Sequence, residues 1–98
     1  MRIVARKTLI AYYRAHKDAK TALCDWYDKT SKAMWDNFSQ LKESFRTADY
    51  VGNNRVIFNI KGGHYRLVAL VLFKPKMLYI RFIGTHKEYE NIINIENI

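Results

Sequence analysis

Basic and titratable side chains crowd the ends of a predicted hairpin in the second half of this chain. His64 and Arg66 follow a Gly62-Gly63 turn, and His86 and Tyr89 follow the last predicted strand. An arginine can bind a phosphate through two hydrogen bonds and stabilise the charge of a pentacoordinate transition state. A histidine titrates near neutral pH, so it can take a proton from a 2′-hydroxyl or give one to a leaving 5′-oxygen. These residue types together suit the cleavage of RNA.

The same stretch lacks the carboxylates that a two-metal nuclease needs. Residues 55–87 contain seven Lys or Arg and no Asp or Glu. Tyr89 adds a group that can act as a weak acid or stack on a base. We therefore predict a metal-independent ribonuclease that uses no cofactor.

Three apolar runs predict the strands that position these side chains. Gly62-Gly63 is typical of a two-residue hairpin turn, because both glycines accept a positive φ. Lys74-Pro75-Lys76 predicts a second turn. A run that alternates apolar and polar residues is typical of a half-buried strand. A run that is apolar on both faces is typical of a central strand covered on two sides. The predicted strands are Arg55–Lys61, His64–Phe73 and Met77–Thr85.

Hairpin geometry then predicts which side chains share a face. A two-residue turn pairs Lys61 with His64 and Asn59 with Arg66. Pairing of Phe73 with Met77 at the second turn would place His86 opposite His64 and Gly84 opposite Arg66. A slip of one residue would turn the third strand over and change the membership of the cluster, but residues 86–89 would still lie beside the start of the middle strand. The predicted cluster consists of Asn59, Lys61, His64, Arg66 and His86.

The first half of the chain predicts helices that cover this sheet. Met1–Ala5 favours a short strand, and a helical spacing of apolar residues runs from Lys7 to His16. Asp18 is an expected N-cap for a second helix, which continues to Tyr27. A third helix is expected around Trp35–Phe45, a loop over Arg46–Asn54 and a short helix or tail over His86–Ile98. We predict a single α+β domain over residues 1–98, with a short N-terminal strand and helices packed on an antiparallel three-strand meander.

Composition limits the functions that this chain can have. Its 98 residues carry 17 Lys or Arg against 9 Asp or Glu, which favours nucleic acid, an anionic membrane surface or an acidic protein as a partner. Cys24 is the sole cysteine, which excludes an internal disulfide. No apolar run is long enough to span a membrane, and the N-terminus lacks the apolar core of a signal peptide. We expect a cytoplasmic protein.

Several segments resemble one family of bacterial toxins. The most specific are VGNNRVIFNIKG, YRLV and IGTHKEYE, and the upstream DAKTALCDWYDKTSKAMWDNFSQLKESF and ADYVGNNR also fit. Together they resemble the HigB toxins of type II toxin–antitoxin systems, members of the RelE-like superfamily. The resemblance covers nearly the whole chain and implies a compact RelE-like RNase fold.

This resemblance also implies an activity and partners. It implies cleavage of mRNA in the A site of the 30S ribosomal subunit by attack of the 2′-oxygen, which leaves a 2′,3′-cyclic phosphate or a 3′-phosphate. It implies neutralisation by HigA, a helix-turn-helix antitoxin. No membrane partner is expected.

The family's catalytic residues can be carried over only in part. Arg66 in YRLV matches the arginine that RelE-like toxins place on the scissile phosphate, and His86 and Tyr89 in THKEY match the segment that supplies acid–base and stacking groups. The RelE branch has catalytic lysines where this chain has Ile57 and Asn59, so histidine is expected to take over proton transfer. Expected RNA-binding residues are Asn59, Lys61, His64, Lys74, Lys76, Arg81 and Lys87.

Two other functions are compatible with the charge alone. A non-catalytic RNA- or partner-binding module, such as a degenerate toxin, would be equally basic. A membrane-surface protein is disfavoured, because the cations lie on strands and not along a basic amphipathic helix.

Overall fold

The protein is built on a five-stranded sheet with the order β1-β5-β4-β3-β2. A computed structural model describes residues 1–98. Strand β1 runs parallel to β5, and every other neighbouring pair is antiparallel. The strands are β1 (Arg2–Val4), β2 (Asp49–Gly52), β3 (Arg55–Ile60), β4 (Tyr65–Leu72) and β5 (Met77–Thr85).

Three helices cover one face of this sheet. They are α1 (Arg6–Ala15), α2 (Lys20–Lys32) and α3 (Phe38–Ser44), and a short α4 (His86–Glu90) follows β5. Leu9, Leu23 and Leu41 from the helices meet alternate strand residues such as Phe58 and Leu67 in one buried cluster. Burial of each such side chain stabilises the fold by about 1.5–3 kcal/mol. The predicted α+β class is confirmed. None of the helices is long and apolar enough to cross a membrane.

Two local predictions in the first half are wrong. The expected loop over residues 46–54 contains β2, an edge strand whose Asp49 and Tyr50 are exposed and therefore show no apolar alternation. Asp18 does not cap α2, because it lies in a 3₁₀ turn and no side chain caps that helix. The third helix is present but begins after Asn37, whose side chain accepts a hydrogen bond from the Gln40 amide.

The first hairpin has the predicted register but a longer connection. Ile60 pairs with Tyr65 and Asn59 pairs with Arg66, as expected. Residues 61–63 form a 3₁₀-type turn with positive φ at all three positions, so the prediction of a two-residue turn that pairs Lys61 with His64 is wrong.

The second hairpin contains a bulge that the sequence analysis did not predict. At the turn, Met77 pairs with Leu72 and not with the expected Phe73. Between Ala69↔Ile80 and Val68↔Phe82 the register shifts by one, which leaves Arg81 as the extra residue. The shift restores the predicted pairing of Arg66 with Gly84. The predicted register is therefore wrong at the turn but correct at the candidate site.

The C-terminal segment folds back along the sheet. After α4, a 3₁₀ turn at Ile95–Asn97 approaches β2 and β3. The Arg55 guanidinium donates hydrogen bonds of 3.1 and 2.7 Å to the Ile98 carbonyl oxygen, and the Asn53 amide donates to the Glu96 carbonyl oxygen at 3.0 Å.

Candidate active site

Arg66 lies on the sheet face that points away from α1–α3. Strand pairing sets Asn59 beside it on β3 and Gly84 beside it on β5. One guanidinium nitrogen donates to the Gly63 carbonyl oxygen at 2.6 Å, and the guanidinium carbon is 5.7 Å from the centre of the Tyr89 ring. No carboxylate forms an ion pair with Arg66, and no other side-chain hydrogen bond is made by it. The remaining N–H groups are therefore available for an anion.

Helix α4 begins directly after β5 because of a capping box. The Thr85 hydroxyl accepts from the Glu88 amide at 3.1 Å, and the Glu88 carboxylate accepts from the Thr85 amide at 2.8 Å. The hydrogen bond from the Thr85 backbone holds the pKa of Glu88 below its usual value. His86 and Tyr89, three positions apart on this helix, have ring centres 6.4 Å apart. The cap therefore fixes where both rings stand.

The two predicted histidines meet where the hairpin turn approaches α4. The His86 amide donates to the His64 carbonyl oxygen at 3.1 Å, and both side chains are exposed. On α4, the His86 Nε2 contacts the Glu90 carboxylate. Glu90 can thus orient the imidazole, as a carboxylate does for a catalytic histidine in other enzymes.

Glu90 contacts His86 but is absent from the residues predicted for the site. The signal was its spacing, because residues at i and i+4 of a helix are neighbours. The sequence after His86 does not distinguish a short helix from a tail, so this spacing does not stand out in it.

The structure brings together some of the predicted RNA-binding residues and separates others. Asn59 and His64 lie beside Arg66, and Lys87 is exposed on α4. Arg81 is exposed on the bulge and makes no ion pair.

The predicted lysines lie elsewhere. Lys61 contacts Asp18 at 3.0 Å and so is directed to the helical side of the sheet. Lys74 and Lys76 belong to the turn at the far end of β4, whose eight residues span roughly 26 Å. Lys76 also contacts Asp36 at 2.6 Å. These three lysines do not join the cluster around Arg66.

A second polar cluster supports the hairpin from the helical side. The Tyr65 hydroxyl donates to Asp18 at 2.5 Å, which raises the pKa of Tyr65 and, with the Lys61 hydrogen bond, lowers the pKa of Asp18. The Tyr12 ring stacks on His16 with centres 4.1 Å apart. Burial, followed by the nearby Glu88 charge, raises the pKa of Tyr12 to about 12. This cluster ties the loop after α1 to the strand that carries Arg66.

Comparison with known proteins identifies the family of this chain. Residues 19–92 match a family described as HigB toxin, the RelE-like toxic component of a toxin–antitoxin system. This chain belongs to the HigB toxin family. The match includes every residue from Asn59 to Glu90 that forms the site described above.

Curated HigB proteins are similar over most of their length. The chain is 30% identical over 93 residues to "mRNA interferase toxin HigB" of Escherichia coli K12. The aligned region covers 92% of this chain and 88% of that protein. The proteins named mRNA interferase HigB in E. coli O157:H7 and Shigella flexneri match with the same identity and coverage. Membership of the HigB family implies an antitoxin partner.

Proposed function

We propose that this HigB-family protein is an mRNA interferase, a single-domain endoribonuclease toxin that cleaves mRNA and stops growth. The observation that carries the proposal is the half-buried Arg66, which is held by Gly63 and Tyr89 and has no carboxylate partner. The relatives that match almost the whole chain are named for the same activity.

The site residues can divide the reaction between them. Arg66 binds the scissile phosphate and stabilises its developing charge. The 2′-oxygen attacks phosphorus and loses its proton, the bond from phosphorus to the 5′-oxygen breaks, and that oxygen gains a proton. His86, oriented by Glu90, is placed to move one of these protons, and Tyr89 can stack on a base or serve as a weak acid. The products are a 2′,3′-cyclic phosphate and a 5′-hydroxyl.

The finer setting belongs to the same proposal. The substrate is translated mRNA in the A site of the 30S subunit, which places the toxin in the bacterial cytoplasm. The antitoxin is a helix-turn-helix protein of the HigA kind.

Induced expression in bacteria that lack the antitoxin tests the catalytic assignment. Wild type is compared with Arg66→Ala, His86→Ala and Tyr89→Ala, and with Lys74→Ala as a control at the far turn. Growth arrest should be lost in the first two variants, weakened in the third and kept in the control. If folded and equally abundant Arg66→Ala and His86→Ala proteins still arrest growth, the assignment is wrong.

Primer extension on cellular mRNA separates cleavage from binding. An interferase creates new 5′ ends that depend on Arg66. A non-catalytic binder, the alternative that the basic charge alone would allow, arrests growth without creating them.

A further inference from the structure

An apolar groove lies between α1 and α2, on the side of the sheet opposite Arg66. Its cavity volume is about 100 Å³. Leu9 and Leu23 form a buried floor, while Ile10, Tyr13 and Tyr27 are only half-buried and Cys24 is exposed. The residues come from positions i, i+1 and i+4 of each helix, so two apolar stripes remain open along their shared seam.

Cations without carboxylate partners surround this groove. Residues 1–17 contain five Lys or Arg and no Asp or Glu. The Arg6 guanidinium stands 4.9 Å from the Tyr27 ring, and the Lys20 ammonium stands 5.7 Å from the Tyr13 ring. Arg14 lies beside Tyr13 at the same end, and none of these three cations forms an ion pair.

An apolar groove between two cationic rims fits one kind of ligand best. Apolar side chains would fill the space above Leu9 and Leu23, and flanking carboxylates would reach Arg6 at one end and Lys20 at the other. An RNA backbone would satisfy the cations but would leave the apolar wall uncovered. The complementary partner is therefore an acidic, amphipathic protein segment.

We propose that the α1–α2 groove binds an acidic, apolar segment of the antitoxin. The proposal rests on the toxin–antitoxin role given above. Since the groove and Arg66 lie on opposite sides of the sheet, this segment would hold the toxin without touching its candidate catalytic residues.

Cys24 provides a direct probe, because it is the only cysteine and lies in the groove. The catalytically silenced Arg66→Ala toxin is purified alone and with its antitoxin. Alkylation of each by N-ethylmaleimide is followed by intact mass. The complex should react at least about tenfold more slowly. Equal rates for the free and the bound toxin overturn the proposal.

A reporter elsewhere on the surface controls for general shielding. A Cys24→Ser variant that also carries Lys74→Cys places the thiol in the exposed far turn. Its alkylation rate should be the same with and without the antitoxin. If the antitoxin slows alkylation at both positions, the proposal of a specific site at the groove is overturned. It is also overturned if a single-stranded RNA, but not the antitoxin, protects Cys24.

Charge reversal tests the chemistry of the partner. Arg14→Glu combined with Lys20→Glu should weaken antitoxin affinity by at least about tenfold, since two attractive contacts become repulsive. Arg2→Glu combined with Lys74→Glu changes the net charge equally at exposed positions away from the groove, and should bind almost as wild type does. Equal weakening in the two pairs overturns a localised contact.

Growth assays distinguish failure of this inference from failure of the proposed function. The Arg14/Lys20 variant should still arrest growth, but antitoxin co-expression should no longer rescue the cells fully. If the wild-type toxin does not arrest growth, the proposed function fails, whereas the alkylation rates still decide whether the groove is covered. If the Arg14/Lys20 variant is folded but has lost its toxicity while wild type is toxic, the groove is needed for contact with the ribosome. The docking proposal is then overturned.

Discussion

The guanidinium of Arg66 combines two properties that a lysine at this position would not supply. One N–H is used to fix the group against the Gly63 carbonyl, and the planar remainder faces the Tyr89 ring. A lysine ammonium is a point charge. It cannot hydrogen-bond to the Gly63 carbonyl and also bind a phosphate through a bidentate contact. The arginine therefore acts as a preorganised anion site.

Arg66→Lys is accordingly expected to lower the rate of mRNA cleavage by about 100-fold, in the range seen when a transition-state donor is removed. Cleavage in a purified translation reaction measures the rate. Arg2→Lys, a change of the same kind at an exposed position, should leave it within about twofold of wild type. A rate within about twofold of wild type in Arg66→Lys would show that Arg66 contributes no more than its charge.

Tyr12 is expected to be among the last tyrosines to ionise. Its hydroxyl is buried without a hydrogen-bond partner, and its pKa is raised to about 12. A folded pKa above the unfolded value of about 10 means that this group stabilises the fold fully below pH 10, and that the contribution is lost as the pH rises through about 12. An ultraviolet titration of phenolate should lose its latest component in Tyr12→Phe. Tyr50→Phe, which removes the hydroxyl of an exposed tyrosine, should keep that component.

The turn between β3 and β4 contains two glycines that differ in one respect. Both have positive φ, of 64° at Gly62 and 95° at Gly63. An added Cβ would meet nothing within 4 Å at Gly62, whereas at Gly63 it would lie 2.9 Å from a guanidinium nitrogen of Arg66. The second glycine is therefore linked to the candidate site as well as to the turn.

We expect Gly62→Ala and Gly63→Ala to destabilise the fold by similar amounts, about 1–2 kcal/mol each, because both place a side chain in left-handed backbone. Only Gly63→Ala should also reduce cleavage by more than about tenfold, since it displaces Arg66. Denaturant unfolding and the cleavage assay measure the two effects. Equal cleavage by the two variants would contradict a link between this turn and Arg66.

Local patterns made much of the sheet and part of the site predictable. Strand β5 has the predicted bounds, and the Asn59–Arg66 pairing follows from a hairpin whose partners are close in sequence. Strand β2 was missed because its side chains are exposed. The contact of Lys61 with Asp18 was also missed, since it depends on how a turn between two helices packs against the sheet. The bulge at Arg81 has no glycine to mark it.

Two carboxylates that join distant parts of the molecule, and a third that caps α4, should make the stability of the fold depend on acid. Hydrogen bonds from Tyr65 and then Lys61 lower the pKa of Asp18, and Lys76 lowers the pKa of Asp36. The hydrogen bond from the Thr85 backbone lowers the pKa of Glu88. A folded pKa below the unfolded value, which is about 4 for these groups, gives stability that is present above pH 4 and is lost as the pH falls through the folded pKa.

Thermal melting should therefore shift to lower temperature as the pH falls below about 4. Asp18→Asn should reduce this dependence, because it removes one of the three groups. Asp25→Asn, at an exposed carboxylate without an ion pair, should preserve it. An identical acid profile in wild type and Asp18→Asn would contradict the role given to the Tyr65 and Lys61 contacts.

The parallel pairing of β1 with β5 has a consequence for how the toxin is made. Strand β1 (Arg2–Val4) is synthesised long before its partner Met77–Tyr79, so the two strands can pair only after β5 has been made. The α1 and α2 helices are synthesised before Arg66, His86 and Tyr89. A nascent chain thus presents the helices of the groove before it holds any candidate catalytic residue. The candidate site is completed only after β5 and α4 have been synthesised, later than the groove.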